Sequence, residues 1–110
     1  MRRLLAIAAA LMLSSGLAVA GEWTGFLMDT MCAAKKIDQA ATHTADCMKT
    51  CSKSGFGLVT KEGEYLKFNE AGNARALKAL DASSKQDHLE VKVSGALKSG
   101  VIQVDSIEML

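Results

Sequence analysis

The sequence predicts an α+β, β-rich fold: a small five-stranded, partly open barrel with a cysteine-bearing helix and a second short helix. Three observations predict it. Five short segments carry strand patterning or hairpin signals. Two stretches with helix-capping residues fall after the first and the third of them, so the order is strand, helix, two strands, helix, two strands. The length left after an N-terminal export signal suits one small domain. Together these describe an OB-like barrel, and a five-stranded open α+β sheet is the alternative that the same order permits.

The chain opens on Met1-Arg2-Arg3, a short positive segment. An unbroken apolar run follows from Leu4 to Leu13. Ser14, Ser15 and Gly16 then lead to Ala18-Val19-Ala20, with small residues at the two positions a signal peptidase reads. This is the layout of a cleavable secretory signal over residues 1–20, and it predicts a periplasmic or secreted protein. The apolar run is short for a helix crossing about 30 Å of hydrocarbon. No second such run follows, so no membrane span is expected after cleavage.

The remaining domain, 21–110, reads as follows. Glu22 to Asp29 is a first strand, with Trp23 and Phe26 as packing residues. Residues 33–44 are alanine-rich and polar, a loop with a helical turn. Thr44 is placed to cap a helix over Ala45 to Lys53, with Asp46 in its first turn favoured by the helix dipole. Gly55 is placed to end it. Phe56 to Thr60 and Glu64 to Phe68 flank Lys61-Glu62-Gly63 as a hairpin. Asn69 or Asn73 opens a second helix, along which Ala74, Leu77 and Leu80 recur at helical spacing. Leu89, Val91 and Val93 alternate with Glu90, Lys92 and Ser94 as a half-buried strand. Lys98-Ser99-Gly100 turns into a last strand, which runs from Ile102 to Ile107 with a bulge.

Charge narrows the function classes. The whole chain has thirteen basic and twelve acidic residues. Loss of Arg2 and Arg3 leaves eleven against twelve, a formal charge of about −1. The signs alternate and no basic stripe forms, so nucleic acid is not an expected partner. No nucleophile elbow, phosphate-binding glycine loop, haem-attachment motif or zincin motif is present, and nothing marks an enzyme.

One constellation carries chemistry: Cys32, then His43-x-x-x-Cys47-x-x-x-Cys51. Three readings are open. In the first, an exported domain of this size uses cysteines as a staple. Cys32 joined to Cys47 or Cys51 closes a loop worth about 3 kcal/mol, and the odd thiol is free or pairs with another chain. A Cys47–Cys51 bridge is disfavoured because one helical turn is near the upper limit of disulfide geometry. In the second, Cys32, His43, Cys47 and Cys51 ligate zinc or copper as a tetrahedral set. That reading requires the helix to begin after His43. On one regular helix His43 and Cys51 would be about 12 Å apart. Met28, Met31 and Met48 would suit Cu(I), although methionines more often fill cores. In the third, Cys47 and Cys51 form a thiol–disulfide redox pair, Cys47 lying in the helix's first turn, although the spacing is not C-x-x-C. Asp29 is read as capping the turn after the first strand rather than as a base. His88 is read as solvated beside Asp87.

Gly25, Asp29, Cys32, His43, Cys47 and Cys51, followed by Val91, Val93 and Gly95, resemble the pattern of an uncharacterised group of small exported bacterial proteins. Its members are known as domains of unknown function. The resemblance runs from Gly25 to about Ile107 and departs at Ala33, where the group often carries glycine. It implies export and an OB-like barrel with a cysteine-bearing helix, and it supplies no activity. The expectation is an exported binding or structural module. Its cysteine/histidine cluster staples the fold or holds a metal, and a periplasmic thiol oxidoreductase is the rival.

Overall fold

The computed structural model describes residues 18–110, so the predicted signal lies outside the described residues except for its last three positions. The elements are β1 (Val19–Asp29), α1 (Thr30–Lys36), a 3₁₀ segment (Ile37–Thr42), α2 (Ala45–Thr50), a 3₁₀ turn (Ser52–Ser54), β2 (Phe56–Val59), β3 (Tyr65–Phe68), α3 (Glu70–Ala82), β4 (Glu90–Lys98) and β5 (Val101–Met109). The five strands close in the order β1-β2-β3-β5-β4, with β4 returning to β1. This is the small α+β, OB-like barrel that the element order predicts, but the ring is closed rather than partly open. The closing contact is a parallel pairing of Lys67 with Val101 and Phe68 with Ile102.

β1 serves two neighbours. Val19 to Phe26 pair with β4, and Phe26 to Asp29 pair with β2. Where the strand passes from one partner to the other, Gly25 leaves room for the neighbouring backbone: a Cβ there would sit 2.2 Å from the Val59 carbonyl oxygen. The expected bulge in the last strand is present. Ser94 faces Ser106 while Gly95 faces Val104, so Asp105 is the extra residue.

Alternation along the strands sorts side chains into two apolar clusters. Inside the barrel lie Leu27, Leu58, Val91, Val93, Ile102 and Val104, closed by Leu80 and Ala76 of α3 and by Met48 of α2. Met28 and Val59, the strand neighbours of Leu27 and Leu58, belong to the second cluster. There Ala33 and Ala40 meet them, with Phe26, Ile37 and Tyr65 at the margin. The segment read as a loop over 33–44 is thus α1 plus a 3₁₀ segment, packed against the residues that β1 and β2 turn away from the barrel interior.

Both asparagines proposed to open the second helix are used. Asn69 caps α3, its Oδ1 accepting from Gly72 N at 3.0 Å and from Val104 N at 3.2 Å. Asn73 Oδ1 instead accepts from Phe56 N at 2.8 Å, which fixes the start of β2. The buried stripe of α3 is Gly72, Ala76 and Leu80, not Ala74, Leu77 and Leu80. Gly72 lies against Phe68 and Val104, so the helix approaches on its smallest residues and leaves Leu77 37% exposed. His88 is exposed and beside Asp87 at 3.1 Å.

Candidate functional site

The site grows from the end of β1. Asp29 is the last residue of that strand and the N-cap of α1, and it is fully buried. Its Oδ2 accepts from Cys32 N at 2.9 Å, as expected of a capping aspartate. The other carboxylate oxygen, Oδ1, accepts from His43 Nε2 at 2.8 Å. The cap that the sequence assigns to Asp29 is therefore half of its work, and the other half is a buried pairing with a histidine fourteen residues away.

His43 reaches that position because the helix begins after it. Its backbone is extended, and its N–H bonds to Gln39 O at 3.1 Å at the end of the 3₁₀ segment. Thr44 then caps α2, its Oγ1 accepting from Cys47 N at 3.2 Å. The metal reading requires that start, and the structure has it.

Cys51 is the C-cap of α2. The chain there is tied to the start of α1 through Ser54, whose hydroxyl donates to Cys51 O at 2.8 Å and accepts from Met31 N at 3.1 Å. Thr30 N also donates to Gly55 O at 2.9 Å. Gly55, at φ +87°, takes a left-handed turn that a side chain would strain. These bonds set the two cysteine-bearing segments side by side. One ligand atom from each of Asp29, Cys32 and Cys51 lies within 4.8 Å of the other two.

The predicted residues are thus divided. Cys32 and Cys51 come together, both half-buried. His43 joins them through Asp29. Cys47 is exposed on the first turn of α2 and is not in the group. Asp29, read from the sequence as a cap alone, stands at the centre. Its position three residues before Cys32 at a strand end was the available signal. Of the methionines near the cysteines, Met28 and Met48 are fully buried in the two apolar clusters, while Met31 is exposed.

The electrostatics favour neutral thiol at Cys32. Burial pushes it up to about 11, and the adjacent Asp29 carboxylate and Cys51 add to the rise. Tyr65 borders the same end. Its hydroxyl donates to Met28 O at 3.1 Å and accepts from Thr30 Oγ1 at 2.9 Å. Burial, with Asp29 nearby, raises its phenol above the ordinary range.

No protein-family model matches the chain, and neither a curated protein nor a solved structure matches it. What the site can do is therefore set by the chemistry of these side chains. Two thiols and an anchored carboxylate can ligate a soft or borderline cation, and the two thiols can also be oxidised to a disulfide.

Proposed function

We propose that this chain acts outside the cytoplasm as a small OB-like binding module that holds a metal ion, zinc in the first place, on Asp29, Cys32 and Cys51. The observation that carries the reading is the mutual approach of the three ligand atoms to within 4.8 Å. Ligands on tetrahedral zinc, at about 2.0–2.3 Å from the ion, stand about 3.3–3.8 Å apart. The cluster is therefore one small contraction from coordination. The carboxylate is also prepared for the role. Its rotamer is held by His43 and by Cys32 N before any ion arrives. A histidine donating to a ligating carboxylate is the kind of outer contact that orients metal ligands.

Zinc is favoured over copper because the thioether supply is poor. Met28 and Met48 are committed to apolar packing, which leaves only Met31 exposed near the cysteines. OB barrels that take oligonucleotides use the strand 2–3 face and the loop between strands one and two. Here that loop is folded into α1 and the 3₁₀ segment and packed on Met28 and Val59. The module offers a thiol cluster at this end in place of an open stacking face.

The test is metal analysis of the reduced, purified protein. Wild type and Cys47→Ser should each bind one zinc, while Cys32→Ser and Cys51→Ser should lose it. Failure of the reduced wild type to bind zinc or copper removes the reading, as does equal retention by all the cysteine variants.

A further inference from the structure

We infer that zinc binding and a Cys32–Cys51 disulfide are two alternative states of this cluster, so that a small-molecule disulfide releases the metal. The inference rests on the metal reading above and names its regulation. The same two sulfurs serve both states, and neither sulfur can ligate the ion while bonded to the other. They are already within 4.8 Å of each other, against a disulfide bond of about 2.05 Å. The segments that carry them are joined by bonds that do not involve sulfur: Thr30 N to Gly55 O at 2.9 Å, Met31 N to Ser54 Oγ at 3.1 Å, and Ser54 Oγ to Cys51 O at 2.8 Å. These ties hold the two segments side by side whichever state the sulfurs are in. Asp29 keeps His43 and Cys32 N as partners throughout, so the carboxylate remains set for the ion's return.

The exchange balances. The two zinc-bound thiolates of Cys32 and Cys51 give up two electrons and form one S–S bond. The external disulfide takes those electrons, picks up two protons from water and leaves as two thiols. Zinc departs as the divalent ion, unchanged in charge. An exported protein meets an oxidising environment in which disulfides, carried by proteins or by small molecules, are the oxidant class. Cys47 stands outside the exchange, exposed on α2. It accounts for the odd cysteine as the thiol that stays free in both states.

The experiment uses the zinc-loaded full chain carrying Cys47→Ser, so that mixed disulfides at the exposed thiol do not confuse the readout. Wild type is run in parallel to control for any effect of that substitution on the fold. Hydroxyethyl disulfide is added, released zinc is followed with a chromogenic chelator, and intact mass is recorded. The expected result is one zinc released for each protein molecule that becomes lighter by two hydrogens. Saturating zinc should also slow disulfide formation by more than about tenfold relative to the metal-free protein. Zinc that stays bound under excess oxidant overturns the switch and leaves the metal reading standing. A Cys32–Cys51 disulfide in protein that still holds zinc overturns it equally. If the reduced protein takes up no zinc at the outset, the metal reading fails and the switch falls with it.

Discussion

His43 Nε2 donates to Asp29 Oδ1 at 2.8 Å, and both side chains are buried. The bond ties the end of β1 to the residue before the cap of α2, across a stretch that otherwise folds as separate short helices. Asp29 thereby holds two partners, the imidazole on one oxygen and the Cys32 amide on the other. A buried carboxylate is costly unless its oxygens are satisfied, so loss of either partner is felt.

Asp29→Ala removes a helix cap, worth about 1 kcal/mol. It also strands a buried imidazole donor, at about 1–3 kcal/mol. A combined loss of about 2–4 kcal/mol is expected in urea denaturation of the reduced, metal-free protein. Asp29→Asn keeps a capping oxygen and should lose less stability while weakening zinc binding. If both variants unfold at the wild-type midpoint, the buried pair is not holding this end of the barrel.

His43→Leu leaves the Asp29 carboxylate with one partner fewer in the same buried place. Outer-contact substitutions at metal sites typically cost about 10–100-fold in affinity, and that range is expected for zinc here. His43→Gln, which retains a donor, should recover part of it. Isothermal titration with zinc separates the two, and equal affinities in all three proteins would remove His43 from the site.

Alkylation of the reduced, metal-free protein should follow exposure and thiol chemistry. Cys47 is exposed and should react first with iodoacetamide. Cys32, pushed up to about 11, should react last, because at pH 9 only about one part in a hundred is thiolate. Its rate should climb about tenfold per pH unit towards that value. Peptide mapping after timed quenching reads the order, and a Cys32 that labels ahead of Cys47 contradicts it.

Stability should also depend on alkaline pH. The Cys32 thiol rises from an ordinary 9.0 to about 11 on folding, so between those values the native state holds a proton that the unfolded state has lost. Its contribution is complete below pH 9 and is lost as pH rises through 11. Tyr65, raised in the same direction by burial, adds the same sign above pH 10. The urea midpoint of the reduced protein should fall across this window, and less steeply in Cys32→Ser. Parallel curves for the two proteins would show that the thiol does not contribute.

Gly25→Ala places a Cβ 2.2 Å from the Val59 carbonyl oxygen, a contact that backbone must move to relieve. The strand changes partners beside this residue, so the clash opens the β1–β2 edge. A destabilisation of at least about 1–3 kcal/mol is expected, in the range of core overpacking. Unchanged thermal unfolding would show that the crossing is looser than the backbone geometry implies.

The sequence by itself determined whatever depends on neighbours a few residues apart. Alternation in Leu89–Val93, the Thr44 cap, an asparagine cap at Asn69 or Asn73, the hairpin at Lys61-Glu62-Gly63 and the bulge in the last strand are local preferences of backbone and side chain. The order of the five strands with α2 and α3 follows from them; the choice of Asn69 over Asn73 as the cap came with the fold. The helical character of α1 is not legible locally, because its alanines and lysines carry no apolar stripe of their own; it is shaped by packing Ala33, with Ala40 of the following 3₁₀ segment, on Met28 and Val59. The stripe of α3 escapes the sequence for a related reason. Which face a helix buries depends on how closely it can approach, and Gly72 approaches further than any leucine. Tertiary structure alone decided that the barrel closes, through a parallel pair between residues more than thirty positions apart. It alone chose among the cysteines as well. Spacing offers all three as ligands and disfavours only a Cys47–Cys51 bridge, and only the ties through Ser54 and Gly55 bring Cys32 and Cys51 to Asp29 while leaving Cys47 in solvent.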